Sequence, residues 1–105
     1  MESLIRAVAA VLCLTLCLPG LAGAQAYPSK PVRVVIPWPP GGGNDIAGRI
    51  VMQKLSEALG QQFPIDNRAG AGGTIGTDFV AKSPADGYTI LVQSTTHVGN
   101  AHLYK

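Results

Sequence analysis

The order of apolar runs and glycine loops predicts an α/β fold opening with a parallel βαβαβ unit. Three observations carry the prediction. Val32-Arg33-Val34-Val35-Ile36 is β-branched and apolar on both faces, as strands of buried parallel sheets are. The first two strand candidates are each followed by a glycine loop and then by helix-forming sequence. Strand, helix, strand, helix, strand requires crossover connections, which are right-handed and place helices on the sheet faces.

Residues 1–26 stand outside this domain and read as a secretory signal. Arg6, with Glu2 nearby, is a sparse positive start, and Ala7 to Leu18 is an uncharged apolar run. Pro19-Gly20 breaks the run, and Ala24-Gln25-Ala26 supplies a small–x–small cleavage site before Tyr27. The rival reading is a membrane anchor, but twelve helical residues reach only about 18 Å, against a hydrocarbon core of about 30 Å. Both cysteines, Cys13 and Cys17, lie inside the run and follow leucines, which does not suit lipidation. Cleavage would leave a chain without cysteine, removing disulfide, zinc-thiolate and thiol-nucleophile chemistry together.

In the domain, 27–105, the first strand is Val32 to Ile36, stopped by Pro37, Pro39 and Pro40. Gly41-Gly42-Gly43 forms a loop, and Asn44 or Asp45 can cap the helix that follows. Its apolar stripe is Ala47, Ile50, Val51, Leu55, Ala58 and Leu59, with Arg49, Gln53 and Glu57 on the wet side and Gly60 at the C′ position. Phe63 to Asn67 is a second strand carrying Pro64, which lacks a donor and suits an edge. Arg68 to Gly73 is a second glycine loop, after which Thr74 can cap a short helix ending near Lys82. Pro84-Ala85-Asp86-Gly87 is a turn, Tyr88 to Val92 the third strand, and Gln93 to His97 a polar loop before a helix starting near Asn100. A strand order 2-1-3 puts Pro64 at the edge, where its missing N–H costs least.

Ligands of such sheets bind at the carboxyl ends of the strands. There, Trp38, Gly41, Gly42, Gly43, Asn44 and Asp45 combine free backbone N–H groups with a helix N-terminus, a natural anion site. Ser94, Thr95 and Thr96 add hydroxyl donors. The pattern describes an anion held by neutral donors. Each feature also has a plain reading: glycines after a strand mark tight βα turns, Asp45 caps a helix, Arg68 is a surface residue, and Trp38 and Tyr88 are packing residues. His97 and His102 have no third partner for a metal, so neither metal nor cofactor is expected.

Composition sets the outer limits. The 105 residues carry a formal charge of +2 with only 13% charged residues and no basic run, which argues against a nucleic-acid groove, and 47% hydrophobic residues argue against disorder. The alternative function class is a secreted α/β enzyme or nucleotide-binding domain using the glycine loops. Gly41 to Ile46 misses the last glycine of G-x-G-x-x-G, and no P-loop or G-x-S-x-G motif occurs. With no nucleophile–base pair, no catalysis is expected.

Four segments carry a family resemblance. Tyr27-Pro28-Ser29-Lys30-Pro31-Val32-Arg33 resembles Y-P-x-K-P-[IV]-[KR], and Pro37 to Asp45 with Arg49 resembles P-[FWY]-x-x-G-G-x-x-D-x-x-x-R. Asn67 to Gly73 matches N-[RK]-x-G-A-G-G, and Pro84 to Thr89 matches P-x-D-G-Y-T. Together they are similar to the Bug family of periplasmic solute receptors, the substrate-binding components of tripartite tricarboxylate transporters. The resemblance implies a two-lobed periplasmic-binding-protein fold of type II character, which closes on a small carboxylate and passes it to membrane permease subunits. It places the ligand against Gly41 to Asp45 and Ser94 to Thr96. Phe63-Pro64-Ile65-Asp66 departs from the β-branched second strand usual in the family. Because family members run to about three hundred residues, the resemblance further implies that residues 27–105 form a truncated first lobe.

Overall fold

The computed structural model describes residues 1–16 and 24–103. Cys17, Leu18, the break at Pro19-Gly20, the side chain of Cys13 and the last two residues lie outside the described part. The elements are α1 (Glu2–Leu16), β1 (Arg33–Ile36), α2 (Gly43–Leu59), β2 (Ile65–Asn67), a 3-10 turn (Ala71–Gly73), α3 (Thr74–Ala81), β3 (Thr89–Leu91) and α4 (Thr96–Leu103). The sheet is parallel throughout, in the order β2-β1-β3. Val34 pairs with Ile65 on one side and Ile90 on the other.

β1 is central, and Val34, Val35 and Ile36 are completely buried. Val34 and Ile36 face α2, where Met52, Leu55, Phe63, Ile65, Ile90 and Val92 complete the core. Pro64 stands just before β2 rather than inside it: its carbonyl accepts the Val34 N–H at 2.9 Å, extending the ladder without a donor. The proline thus shortens the strand expected from Phe63 and still holds the edge.

The cap and the buried face of α2 differ from the sequence expectation. The N-cap is Gly42, in extended backbone, not Asn44 or Asp45. Asp45, in the first turn, instead reaches back to the Gly41 N–H. The buried positions are Asp45, Gly48 and Met52, whereas Ile50 and Val51 stay 60% and 52% exposed. Gly48 decides this rotation: a Cβ there would come within 2.7 Å of Ile36 Cδ1, so the helix lies close against β1 along its least bulky line. Hydrophobic periodicity pointed to the other face because it gives neither a glycine nor a paired aspartate credit for burial. At the far end Gly60 caps the helix as expected, its N–H on Ser56 O at 3.0 Å.

Two later starts also move. Gly73 caps α3 and Thr74 Oγ1 donates to Ala71 O at 2.8 Å, because the 3-10 turn already fills the place of a Thr cap. α4 begins at Thr96, four residues before Asn100, with His97 N–H on Ser94 O and Val98 N–H on Thr95 O forming its first turn. Asn100 lies within the helix and donates to Gly72 O at 2.9 Å.

The segment 27–30 is fastened to the turn before β3. The Tyr27 hydroxyl donates to Gly87 O, and Ser29 N–H donates to Tyr88 Oη at 2.9 Å. The Tyr27 and Tyr88 rings meet edge to face at 5.2 Å, and Lys30 Nζ sits 4.5 Å from the Tyr88 ring centre. Residues 24–26 are exposed. The helix α1 exposes Leu4, Ile5, Val8 and Val11, and among the described residues no helix is long and apolar enough to cross a membrane.

Gly76 is where α3 approaches β1 most closely: a Cβ would lie 2.7 Å from Pro37 Cβ and 2.9 Å from the Arg68 carbonyl oxygen. Backbone cannot yield as a side-chain tip can, so Gly76→Ala is expected to cost about 1–3 kcal/mol. Gly43, with nothing within 4 Å of its virtual Cβ, provides the contrast. In urea unfolding, Gly76→Ala should lower the midpoint and Gly43→Ala should not.

Candidate functional site

All three connections at the carboxyl ends of the strands converge. Behind the first glycine loop, Asp45 is 97% removed from solvent and its carboxylate is fully engaged. Oδ2 accepts from Gly41 N–H and from Arg49 Nε, each at 2.9 Å, and Oδ1 accepts from Asn67 Nδ2 at 2.9 Å. Asn67 Nδ2 also donates to Trp38 O at 3.0 Å, while its Oδ1 accepts from Arg49 at 3.3 Å. The end of β2 is thereby tied to both ends of the loop that follows β1. Donation from Arg49, Gly41 and Asn67 outweighs desolvation and holds the Asp45 carboxyl well below the usual carboxylate range.

A second set of bonds joins the other loops through Gln93. Its Oε1 accepts from Trp38 Nε1 at 2.7 Å and from Ser94 N–H at 2.8 Å. Its Nε2 donates to Thr77 Oγ1 at 3.2 Å, and that hydroxyl donates to Gly73 O at 2.8 Å. Gly73, with φ of 88°, lies under this contact, where a Cβ would be 2.8 Å from Gln93 Nε2 and 3.4 Å from the Trp38 ring. One amide side chain therefore fixes the indole of the first loop, the backbone of the third and, through Thr77, the second.

These bonds frame a cavity of about 370 Å³ lined by Trp38, Pro39, Gly42, Gly43, Asn44 and Ser94. Ile46 N–H makes the first α2 bond to Gly42 O at 3.0 Å, which leaves the N–H groups of Gly43, Asn44 and Asp45 without intrahelical acceptors. Of the residues singled out in the sequence, Trp38, Gly42, Gly43, Asn44 and Ser94 line the opening. Gly41 and Asp45 stand behind it as its support. Thr95 and Thr96 are exposed beyond its rim, with Thr96 Oγ1 2.7 Å from Ser94 Oγ. Arg68 turns away from it: the guanidinium stacks 3.6 Å from the Phe79 ring centre and pairs with Asp66 at 2.9 Å. Among the described residues no group of three or more His, Cys, Asp or Glu is placed to hold a metal ion.

Sequence reasoning missed Gln93, and it gave Asn67 and Arg49 no part in the site, placing one at a strand end and the other on the wet side of a helix. The available signal for Gln93 was a long amide directly after a strand, at a depth where its polar end needs partners.

The sequence profile described as "Tripartite tricarboxylate transporter family receptor" matches residues 47–105. A UPF0065 protein encoded between tcbD and tcbE in Pseudomonas sp. strain P51 is 53% identical over 80 residues, 76% of this chain and 24% of that protein. Protein BugT of Bordetella pertussis is 49% identical over 73 residues, 70% of this chain and 22% of BugT. The chain therefore spans about a quarter of the length of the curated relatives it matches. Among solved structures, the periplasmic binding protein BugD is 43% identical, with a TM-score of 0.60 over 62% of this chain and 22% of BugD. An R. palustris protein solved with adipate is 46% identical, with a TM-score of 0.61 over 62% of this chain and 22% of that one. MatC from Rhodopseudomonas palustris, solved with bound malate, is 38% identical, with a TM-score of 0.58 over 61% of this chain and 22% of MatC.

The Asp45 network has a pH signature. A carboxyl whose folded pKa is depressed adds stability that is present above its unfolded value, about 3.9, and is lost as pH falls toward the folded value. Asp45→Asn should thus be less stable than the parent near neutrality, and the gap between their urea midpoints should narrow as pH falls below about 4.

Proposed function

This chain belongs to the tripartite tricarboxylate transporter receptor family, the Bug-type solute receptors, and from that membership we propose that it contributes one wall of a site for a small carboxylate, which the receptor delivers to membrane permease subunits. The observation that carries this reading is the donor set of the carboxyl-end cavity. Its lining offers helix N–H groups, the Asn44 amide, the Ser94 hydroxyl and an indole face, with no ionised group among them. Neutral donors at a helix N-terminus stabilise a carboxylate through partial charges without the desolvation cost of a buried counter-ion. The one nearby carboxylate, Asp45, is already engaged by Arg49, Gly41 and Asn67, so its charge is offset before a ligand arrives. The relatives solved with adipate and malate support a dicarboxylic acid as ligand.

Recognition here is binding followed by release of an unchanged solute. A receptor gains nothing from favouring a transition state, and we assign no catalytic group. Residues 27–105 form the opening part of a first lobe, a reading supported by the quarter-length match to relatives. Residues 1–26 are an export signal cut before Tyr27. This assignment is supported by the exposure of residues 24–26 directly before Tyr27, whose hydroxyl is bonded to Gly87 O. Amino-terminal sequencing of periplasmic material should begin at Tyr27, and a membrane-retained product starting at Met1 would contradict it.

Trp38 is the only tryptophan and lines the cavity, so its emission reports occupancy directly. Adipate or malate titrated into a longer receptor containing this chain should saturably shift an emission that Trp38→Phe removes, while the corresponding diamine should not. The chain alone, with one wall of the site, should respond poorly. Ser94→Ala should weaken binding by about 1.5–3 kcal/mol, the worth of a hydrogen bond to a charged group. Gly42→Val should abolish the response by filling the cavity, since a Cβ there meets only Pro39 O at 3.5 Å and the fold itself is spared. Gln93→Leu should weaken binding by releasing the indole. No carboxylate-dependent signal in the parent chain or in a longer protein containing it would overturn the reading.

A further inference from the structure

We propose that a cationic groove at the amino ends of the strands is a docking site for an acidic segment of a partner polypeptide. The groove, about 640 Å³, lies at the opposite end of the sheet from the carboxylate cavity. Lys30, Arg33 and Lys82 line it and no carboxylate does. Lys82 is paired with Asp78 at 2.7 Å, but Lys30 and Arg33 have no carboxylate within ion-pair distance among the described residues. Both lie near aromatic rings: Lys30 Nζ is 4.5 Å from the Tyr88 ring centre, and Arg33 Cζ is 5.9 Å from that of Phe79, the ring on which Arg68 stacks at 3.6 Å. The ring faces position the two charges while leaving their N–H donors free for an incoming anion.

The shape selects the class of partner. The cations and Pro64 are exposed and the two rings half-buried, giving a polar rim around an aromatic floor, which is the anatomy of a protein interface. Anionic membrane surfaces are recognised by clusters of about 4–8 basic residues, and two unpaired cations in a concavity fall short of that. Extended carboxylates on a peptide match both the charge and the groove.

The test is fluorescence anisotropy of the whole chain with a labelled Asp/Glu-rich decapeptide, alongside its Lys-rich counterpart. Saturable binding of the acidic peptide alone is expected, weakening about tenfold as salt rises from low to several hundred millimolar. Arg33→Gln and Lys30→Gln should each lower affinity at least several-fold without moving the urea midpoint, and Lys82→Gln should do less. Trp38 emission should not respond to the peptide. Absence of binding, or binding indifferent to Arg33→Gln and Lys30→Gln, overturns the proposal. So does tighter association with phosphatidylglycerol vesicles than with the peptide, or displacement of the peptide by millimolar inorganic phosphate, since either result would make the groove a site for lipid or simple anions.

Discussion

The carboxylate of Asp45 holds the upper end of the domain together. A buried carboxylate is costly unless every lone pair direction is met, and here a backbone N–H, a guanidinium and a carboxamide meet it from three different places in the chain. Gly41 belongs to the loop after β1, Arg49 to the next turn of α2, and Asn67 to the end of β2. Because Asn67 also holds Trp38 O, the loop is fixed at both ends. The indole of Trp38 then meets Gln93, which carries the same order to the loop after β3 and, through Thr77, to Gly73. A glycine-rich loop is intrinsically the most mobile kind of backbone, and this network replaces the rigidity its composition lacks.

How much of this was legible in the sequence depended on which physical term decided each element. Where burial of β-branched residues and the donor deficit of proline decide, as in β1 and at the β2 edge, pattern alone reached the parallel sheet and its 2-1-3 order. Where polar pairing or close approach decides, pattern pointed elsewhere. The rotation of α2 follows Gly48 and Asp45, neither of which scores as apolar, and so Ile50 and Val51 were assigned to the wrong face. The start of α4 was placed late because Ser94, Thr95 and Thr96 read as a polar loop, although the carbonyls of the first two accept the first N–H groups of the helix. At the site, glycines, Trp38 and Ser94 were legible as loop chemistry. Gln93 was not, since its importance comes from two partners distant in sequence, Trp38 and Thr77.

The electrostatics of the site follow a division of labour between charged and neutral groups. A compensated pair is placed behind the cavity, its Asp45 carboxylate buried and its Arg49 guanidinium reaching in from an exposed position, where it secures geometry. Neutral dipoles are placed at the surface of the cavity, where they would meet a solute. A counter-ion facing the solute would bind more tightly but would itself need desolvation at each cycle. For a receptor that must also let go, partial charges from N–H and O–H groups are the better compromise between capture and release.

The fastening of Tyr27 and Ser29 to Gly87 and Tyr88 sets the polarity of the whole molecule. It joins residues 27–29 to the lead-in of β3, so the chain enters the sheet at the amino ends of the strands, one full strand length from the loops that frame the cavity. Residues 24–26 therefore stand at the pole away from the cavity lined by Trp38, Gly42, Gly43, Asn44 and Ser94. None of the bonds around Asp45 or Gln93 involves a residue before Trp38. A cut anywhere before Tyr27 would thus leave the framework of the cavity untouched, because the two lie at opposite poles of one small sheet.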